Sequence, residues 1–114
     1  MTVNEIYLKI GQTIFDAIEE EKWLEAHLFI MRLENTIRFN AFYLSELDEK
    51  YVIKARKFSA IYESVHELHR ITMQYGHNRW NKLEFTLLPN FKFDLKFIWD
   101  QELQDEVDGY NNQM

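Results

Sequence analysis

Two alternating stretches near the C-terminal end constrain the fold of this chain more than any other feature. Residues 82–88 and 91–99 place an apolar side chain at every second position, the spacing of a strand with one buried face. Pro89 and Asn90 stand between them, at the second and third positions of a tight turn. The pattern predicts a β-hairpin with these side chains on its buried face: Leu83, Phe85, Leu87, Phe91, Phe93, Leu95 and Phe97.

Two other stretches have the three- and four-residue apolar spacing of amphipathic helices. Residues 3–21 form the first, with Thr2 or Asn4 as its cap. Residues 58–75 form the second, which is predicted to end at Gly76, His77 and Asn78. The acidic run Glu19, Glu20 and Glu21 falls at the end of the first helix, where the helix macrodipole disfavours negative charge, and this hints at an external role.

The middle of the chain predicts further strands. Residues 23–33 carry apolar side chains at both odd and even positions, which is typical of a strand in the centre of a sheet. Residues 37–44 alternate and follow a turn at residues 34–36, so they form a hairpin partner. Residues 51–55 predict a third, shorter strand.

The order of these elements is helix, two or three strands, helix, and two strands. It predicts an α+β fold, with a largely antiparallel sheet of four to five strands and two main helices packed on it. The chain has no linker or internal repeat, so residues 1–114 are expected to form a single domain. The acidic segment 100–114 is expected to be either a short helical turn or a frayed tail.

Composition excludes several classes of protein. The chain has no cysteine, which removes disulfides, thiolate catalysis and zinc–thiolate sites and fits a reducing cytoplasm. No apolar run approaches the roughly 20 residues of a membrane span, and the first residues do not read as a signal peptide. We therefore expect a cytoplasmic protein that binds no membrane.

Charge indicates the kind of partner. The net charge is −6, and the five acidic residues after residue 99 account for most of it. A protein that binds a nucleic-acid backbone directly would carry the opposite sign. An acidic surface favours a basic partner, and proteins that degrade nucleic acids are commonly basic.

Residues with catalytic or metal-binding chemistry are present but poorly arranged. Glu63, His66, Glu67 and His69 lie within two helical turns, yet the histidines miss the spacing that places two ligands on one helix face, and no other helix supplies matching ligands. The solvated side of an amphipathic helix explains them. We predict that the protein is not an enzyme and has no catalytic residue, cofactor or metal.

The chain resembles the YezG-like family of bacterial immunity proteins. The resemblance is carried by the opening helix "NEIYLKIGQTIFDAI", the central hairpin, the long amphipathic helix and the closing strands "WNKLEFTL" and "FKFDLKFIWD". It implies a cytoplasmic, non-enzymatic inhibitor that binds the toxic domain of a secreted or contact-delivered toxin, often a nuclease. It does not extend to residues 45–57 or to the tail after residue 100, and it carries no catalytic residue.

Two acidic clusters are the predicted contacts with such a toxin domain. The first is the loop that contains Glu46, Asp48 and Glu49. The second follows the last strand, with Trp99 as an anchor beside acidic residues: Asp100, Glu102, Asp105 and Glu106. The alternative is a non-catalytic domain that binds a small ligand or has a regulatory role, with a pocket between the sheet and the second helix. A cavity there would favour that alternative, and a solid core would count against it.

Overall fold

A computed structural model of the protein describes residues 1–74 and 79–111, and these residues have the predicted α+β fold. Its helices are α1 (Val3–Ala17), α2 (Tyr62–Gln74) and α3 (Gln101–Asn111), with a 3₁₀ helix (Ala55–Ile61) directly before α2. Its strands are β1 (Trp23–Leu33), β2 (Thr36–Ser45), β3 (Lys50–Ile53), β4 (Lys82–Leu87) and β5 (Phe93–Ile98). The predicted end of the second helix at Gly76, His77 and Asn78 lies outside the described residues.

The five strands form one antiparallel sheet in the order β3-β2-β1-β4-β5. The central position of β1 confirms the prediction from its two apolar faces. Hairpins connect β1 to β2, β2 to β3, and β4 to β5. The segment that contains α2 connects β3 to β4 and places β4 beside β1. β3 and β5 are the edges of the sheet.

One face of the sheet packs against α1, α2 and the 3₁₀ helix to make the core. Each fully buried Leu, Ile or Phe stabilises the fold by about 1.5–3 kcal/mol. The side chains at the centre have almost no exposed surface: Ile6, Ile10, Ile14, Ala26, Leu28, Ile30, Phe58, Ile61, Val65, Leu68, Leu83, Phe85 and Leu87.

Helix α1 begins as predicted and ends earlier. The Thr2 hydroxyl accepts a hydrogen bond from the backbone N–H of Glu5, and the Glu5 carboxylate accepts one from the N–H of Thr2. This reciprocal cap defines the helix start. The predicted continuation to residue 21 is wrong, because the extended backbone of Ile18 ends the helix and returns its side chain to the core. The acidic residues that follow are therefore in a loop.

The predicted turn between β4 and β5 is confirmed. The N–H of Leu88 donates to the carbonyl of Lys92 at 2.8 Å, and the N–H of Phe91 donates to the carbonyl of Leu88 at 2.9 Å. Phe91 closes the turn with a φ of 68°, in the left-handed region. Its ring lies on Gly11 of α1, where an added Cβ would come within 3.3 Å of the ring. Glycine at this position lets the helix lie close to the turn.

The apolar side chains Phe93, Leu95 and Phe97 of β5 lie on the predicted face of the sheet, but they are less buried than expected. Leu95 and Phe97 are half-buried against the core, whereas 37% of Phe93 is exposed. The equivalent face of β4 is fully buried. The difference arises because β4 has a neighbouring strand on both sides, whereas β5 is at the edge of the sheet.

The acidic C-terminal segment forms a helix over most of its described length. α3 starts after Asp100, whose carboxylate accepts a hydrogen bond from the N–H of Leu103 at 3.1 Å and thereby caps the helix. Asn81 exchanges hydrogen bonds with the backbone N–H and carbonyl of Asp100, both at 2.8 Å. These contacts fix the start of α3 to the beginning of β4.

Candidate protein-binding surface

The structure places the two predicted acidic clusters at opposite ends of the sheet. Glu46, Asp48 and Glu49 lie in the turn between β2 and β3. α3 lies instead beside the turn between β1 and β2, where Leu103 and Val107 line a cleft with Met31 and Leu33.

The length of β2 separates the two clusters. β2 has ten residues, so they are roughly 30 Å apart at about 3.3 Å per residue. A protein–protein contact of standard size covers about 800 Å² on each partner, a patch roughly 30 Å across. A contact of that size centred on one cluster does not reach the other.

The acidic run that follows α1, Glu19 to Glu21, lies beside the β2–β3 turn in the folded protein. The Tyr43 hydroxyl donates a hydrogen bond to the Glu20 carboxylate at 2.9 Å, and the Tyr51 hydroxyl donates one to the Glu49 carboxylate at 2.8 Å. The two tyrosine rings stack with their centroids 5.5 Å apart. We call this surface the acidic end and define it by its six carboxylate residues: Glu19, Glu20, Glu21, Glu46, Asp48 and Glu49.

Local hydrogen bonds give the turn of the acidic end its shape. The hydroxyl of the buried Ser45 accepts hydrogen bonds from the N–H groups of Leu47 and Glu49, at 3.3 and 3.2 Å. Asp48 has a φ of 63°, a left-handed conformation that aspartate tolerates better than most residues. This arrangement leaves Leu47 at the tip with 81% of its surface exposed. The acidic end therefore presents an apolar side chain among its carboxylates.

The tyrosine hydroxyls stay protonated at neutral pH and act as donors. Burial, followed by the hydrogen bond to Glu20, raises the pKa of Tyr43 to about 12. The hydrogen bond to Glu49 is the main cause that raises the pKa of Tyr51. An open hollow of about 490 Å³ lies beside these groups, lined in part by Glu20, Glu46 and Leu47. Its lining carries four carboxylates, Glu20, Glu21, Glu46 and Glu49, and one lysine, Lys22.

The predicted residues around α3 divide into structural and exposed groups. The Asp100 carboxylate accepts hydrogen bonds from Lys82 at 2.6 Å and from the start of α3, and both lower its pKa. The Arg79 guanidinium lies 4.3 Å from the ring centroid of Trp99, whose indole N–H donates to Gln101. The outward-facing acidic residues of α3 are exposed: Glu102, Asp105 and Glu106.

The histidines and glutamates of α2 have ordinary structural contacts. Glu67 pairs with the N-terminal ammonium group at 3.2 Å, and His66 lies edge-on to Tyr62. His69 contacts Trp80 with ring centroids 5.0 Å apart. Within residues 1–74 and 79–111, no three His, Asp or Glu side chains are grouped so that they could hold a metal ion.

A basic segment begins in the edge strand β3 with Lys50 and continues through Lys54, Arg56 and Lys57. Lys50 is in the edge strand β3, with its ammonium group 4.3 Å from the ring centroid of Phe42. Phe42 also stacks on His27 at a centroid distance of 4.8 Å. This part of the outer sheet face therefore mixes aromatic and cationic groups and contrasts with the acidic end.

The space between the sheet and α2 is filled by side chains. Phe58, Ile61, Val65 and Leu68 have no exposed surface in the structure. Trp80 lies beneath the end of α2 and donates its indole N–H to the Thr72 hydroxyl at 2.7 Å. This packing counts against a small-ligand site at the position that the alternative prediction required.

The sequence predicted the acidic turn as a contact and singled out the glutamates after α1, but it did not predict that Glu20 and the two tyrosines lie beside this turn. The charge of residues 46–49 was visible, but Glu20 is more than twenty positions away and meets Tyr43 only after folding. One signal in the sequence pointed to these glutamates, because negative charge at the end of a helix is unfavourable and therefore hinted at an external role. Neither protein-family models nor curated proteins gave a match to this sequence. No described helix has the length and apolar character needed to cross a membrane.

Proposed function

We propose that this protein is a non-enzymatic immunity protein. It binds a basic toxin domain of the nuclease class in the cytoplasm and blocks the active site or the substrate-binding surface of that domain. The single observation that carries the proposal is the acidic end, where two separate chain segments bring their carboxylates together around a tyrosine stack and an exposed leucine.

The electrostatics of the acidic end suit a nuclease. A nuclease surrounds its cleft with lysine and arginine side chains that hold phosphate groups, and clustered carboxylates compete for the same groups. Exposed charges of this kind mainly accelerate association and select the partner. Leu47 and Tyr51 add apolar surface beside the charges, which slows dissociation once the two proteins are in contact.

The family resemblance supports the same function independently of the charge. It rests on the opening helix, the central hairpin, the long amphipathic helix and the closing strands, which build the fold. The six carboxylates of the acidic end lie outside these segments. The turn of residues 46–49 falls in the part of the chain that the resemblance does not cover. Binding residues are commonly carried on loops that a rigid scaffold positions, and the acidic turn has this arrangement.

Neutralising three carboxylates of the acidic end tests the proposal. The probe is the C-terminal domain of the toxin encoded by the neighbouring reading frame, measured for co-purification, nuclease activity and association rate. The substitutions Glu20→Gln, Glu46→Gln and Glu49→Gln together remove three charges and keep acceptors for the tyrosine hydroxyls. We expect association at low salt to slow by roughly tenfold or more and to lose most of its salt dependence.

The matched control removes the same number of charges from α3 through Glu102→Gln, Asp105→Asn and Glu106→Gln. We expect this control variant to associate almost as fast as the unmodified protein. A slow control beside a fast acidic-end variant would move the contact to α3. Failure of the unmodified protein to bind the domain or to inhibit its nuclease activity would contradict the proposed function.

A further inference from the structure

The outer edge of β5 has no partner strand among the described residues, and its exposed charged side chains are Asp94 and Lys96. β5 is the last strand of the sheet and pairs only with β4 among the described residues. It has six residues and contains neither a proline nor a β-bulge, whereas the opposite edge strand, β3, has four residues. A regular edge of this kind offers a row of backbone donors and acceptors to another strand.

The hydrogen-bond pattern of the hairpin shows which backbone groups face outward. The N–H of Leu88 donates to the carbonyl of Lys92, so the backbone groups of this pair face each other across the hairpin. Hydrogen-bonded pairs recur at every second position of an antiparallel ladder, so the backbone groups of Asp94 and Lys96 are directed at β4. The alternate residues direct their N–H and C=O groups at the open edge: Phe93, Leu95 and Phe97.

We propose that this edge binds a second copy of the chain, with β5 antiparallel to β5 and Leu95 of each copy at the two-fold axis. The two five-stranded sheets become one continuous sheet of ten strands. In this register the outward backbone groups of Leu95 meet those of the other Leu95, and Phe93 meets Phe97. The side chain of Asp94 lies directly opposite Lys96 of the other copy, and the symmetry repeats this ion pair.

Charge selects this register over its neighbours. A shift by one residue would oppose outward backbone groups to inward ones and lose the ladder hydrogen bonds. The next registers that keep the hydrogen bonds place Asp94 opposite Asp94, or Lys96 opposite Lys96. Like charges directly opposite one another destabilise a strand pair, and opposite charges stabilise it. Of these three registers, only the one centred on Leu95 gives two attractive pairs.

The two charged side chains are available for this contact. Both Asp94 and Lys96 are exposed, and in the part of the chain that the structure describes neither one forms an ion pair or a side-chain hydrogen bond. Lys96 also lies directly opposite Glu84 in the β4–β5 ladder, so in the dimer it stands between two carboxylates, whereas Asp94 lies opposite the uncharged Thr86.

An apolar margin runs beside the same edge. Phe93 contacts Tyr7 of α1 with ring centroids 6.1 Å apart, and Phe15 contacts Phe91 at 5.9 Å. Leu8 shares the helix stripe of Phe15, two turns away, and has 53% of its surface exposed. A second copy paired at β5 approaches this margin from the side and removes part of it from water.

The proposed dimer is independent of the proposed function and compatible with it. The acidic end lies beside the turn that leads into β3, at the opposite edge of the sheet from β5. Pairing through β5 therefore leaves both acidic ends exposed and far from the two-fold axis. The net charge of −6 on each copy opposes association at low salt. At physiological salt, the repulsion between exposed charges more than about 8 Å apart is largely screened.

Charge reversal at β5 tests the contact and its register. Sedimentation velocity of the unmodified chain is expected to give a species of twice the 14.0 kDa monomer mass. The single variants Asp94→Lys and Lys96→Asp are each expected to raise the dimer dissociation constant by about tenfold or more, because each places like charges opposite one another. The double variant Asp94→Lys/Lys96→Asp restores opposite charges and is expected to dimerise again.

An equimolar mixture of the two single variants gives a second test. One variant carries two lysines and the other two aspartates, so they are expected to form a mixed dimer that native mass spectrometry identifies. Lys54→Asp, the same charge change near the opposite edge, is the control and should leave the dimer unchanged. Circular dichroism verifies that each variant folds, since all three positions are exposed.

Three results would overturn the proposal. The first is a chain that remains monomeric at the highest concentration at which it stays in solution. The second is a dimer that persists unchanged in both single variants, which would place the contact elsewhere. The third is a double variant that stays monomeric, which would rule out the register centred on Leu95. None of these results bears on binding of a toxin domain by the acidic end.

Discussion

Phe91 has a strained backbone that its ring contacts hold in place. Its φ of 68° is costly for a residue with a side chain, by about 1–2 kcal/mol. The ring lies against Gly11 and contacts Phe15 at a centroid distance of 5.9 Å. Packing of the ring on α1 therefore compensates for the strain in the turn.

Replacement of Phe91 by alanine and by glycine separates these two contributions. Both substitutions remove the ring, but only glycine adopts a positive φ without strain. We expect both variants to be less stable than the unmodified protein. The free energy of unfolding of the alanine variant should be about 1 kcal/mol lower than that of the glycine variant. Urea denaturation measures the difference. Equal stability of the two variants would show that the turn relaxes once the ring is gone.

At the scale of the element, α3 depends on a small set of polar contacts with the sheet. Asn81 is 4% exposed and holds both the N–H and the carbonyl of Asp100. Among its described side chains the helix presents two apolar ones, Leu103 and Val107, to the cleft beside β1. The amide of Asn81 is therefore a main attachment of the whole helix.

The substitution Asn81→Ala is expected to release α3 from the sheet. It leaves the backbone groups of Asp100 without their partners, at a cost of about 1–3 kcal/mol. Hydrogen exchange should become fast along α3 while the central strands stay protected. Glu106→Ala, an exposed change on α3 away from Asp100, serves as the control and should leave this protection intact. Continued protection of α3 in the Asn81 variant would contradict the role of this amide.

The elements differ in how far the sequence predicted them. β1 was predicted with its observed bounds and β2 to within a residue, because alternation and the turn residues between them mark both ends. α1 ends four residues early because Ile18 is drawn back to the core, a tertiary effect that helical spacing does not contain. α3 has few apolar residues, so its helix depends on the Asp100 cap and on docking to the sheet.

At the scale of the whole molecule, stability depends on pH through His69. Burial, followed by repulsion from Arg32, lowers the pKa of the His69 imidazole to about 4, from about 6.5 in an unfolded chain. Between these values the unfolded chain binds a proton that the folded chain does not bind. The free energy of unfolding therefore falls as the pH decreases through this window.

The substitution His69→Gln removes the titrating group. Urea denaturation from pH 7 down to about 4.5 should show a shallower loss of stability for the variant than for the unmodified protein. The carboxylates with lowered pKa values, such as Asp100, contribute below this range. Parallel curves for the two proteins would show that His69 takes up its proton equally well in the folded state.

Strand order and the composition of the acidic end could not be predicted from the sequence. Period-two alternation assigns the faces of β5 but is identical for a central and an edge strand, so the exposure of Phe93 was not visible. The acidic turn was visible as clustered charge, whereas its contact with Glu20 depends on how α1 crosses the sheet. Properties set by distant segments require the three-dimensional structure.

The order of strands in the sheet also determines which strands can pair while the chain is still being synthesised. β1 pairs with β2 as soon as both have been made, but its other neighbour is β4. The ribosome needs roughly 2–10 seconds to make the residues between Leu33 and Lys82, at about 5–20 residues per second. Throughout that interval the strand that becomes the centre of the sheet has an open, apolar edge. The nascent chain is therefore most exposed to mispairing before its last hairpin emerges.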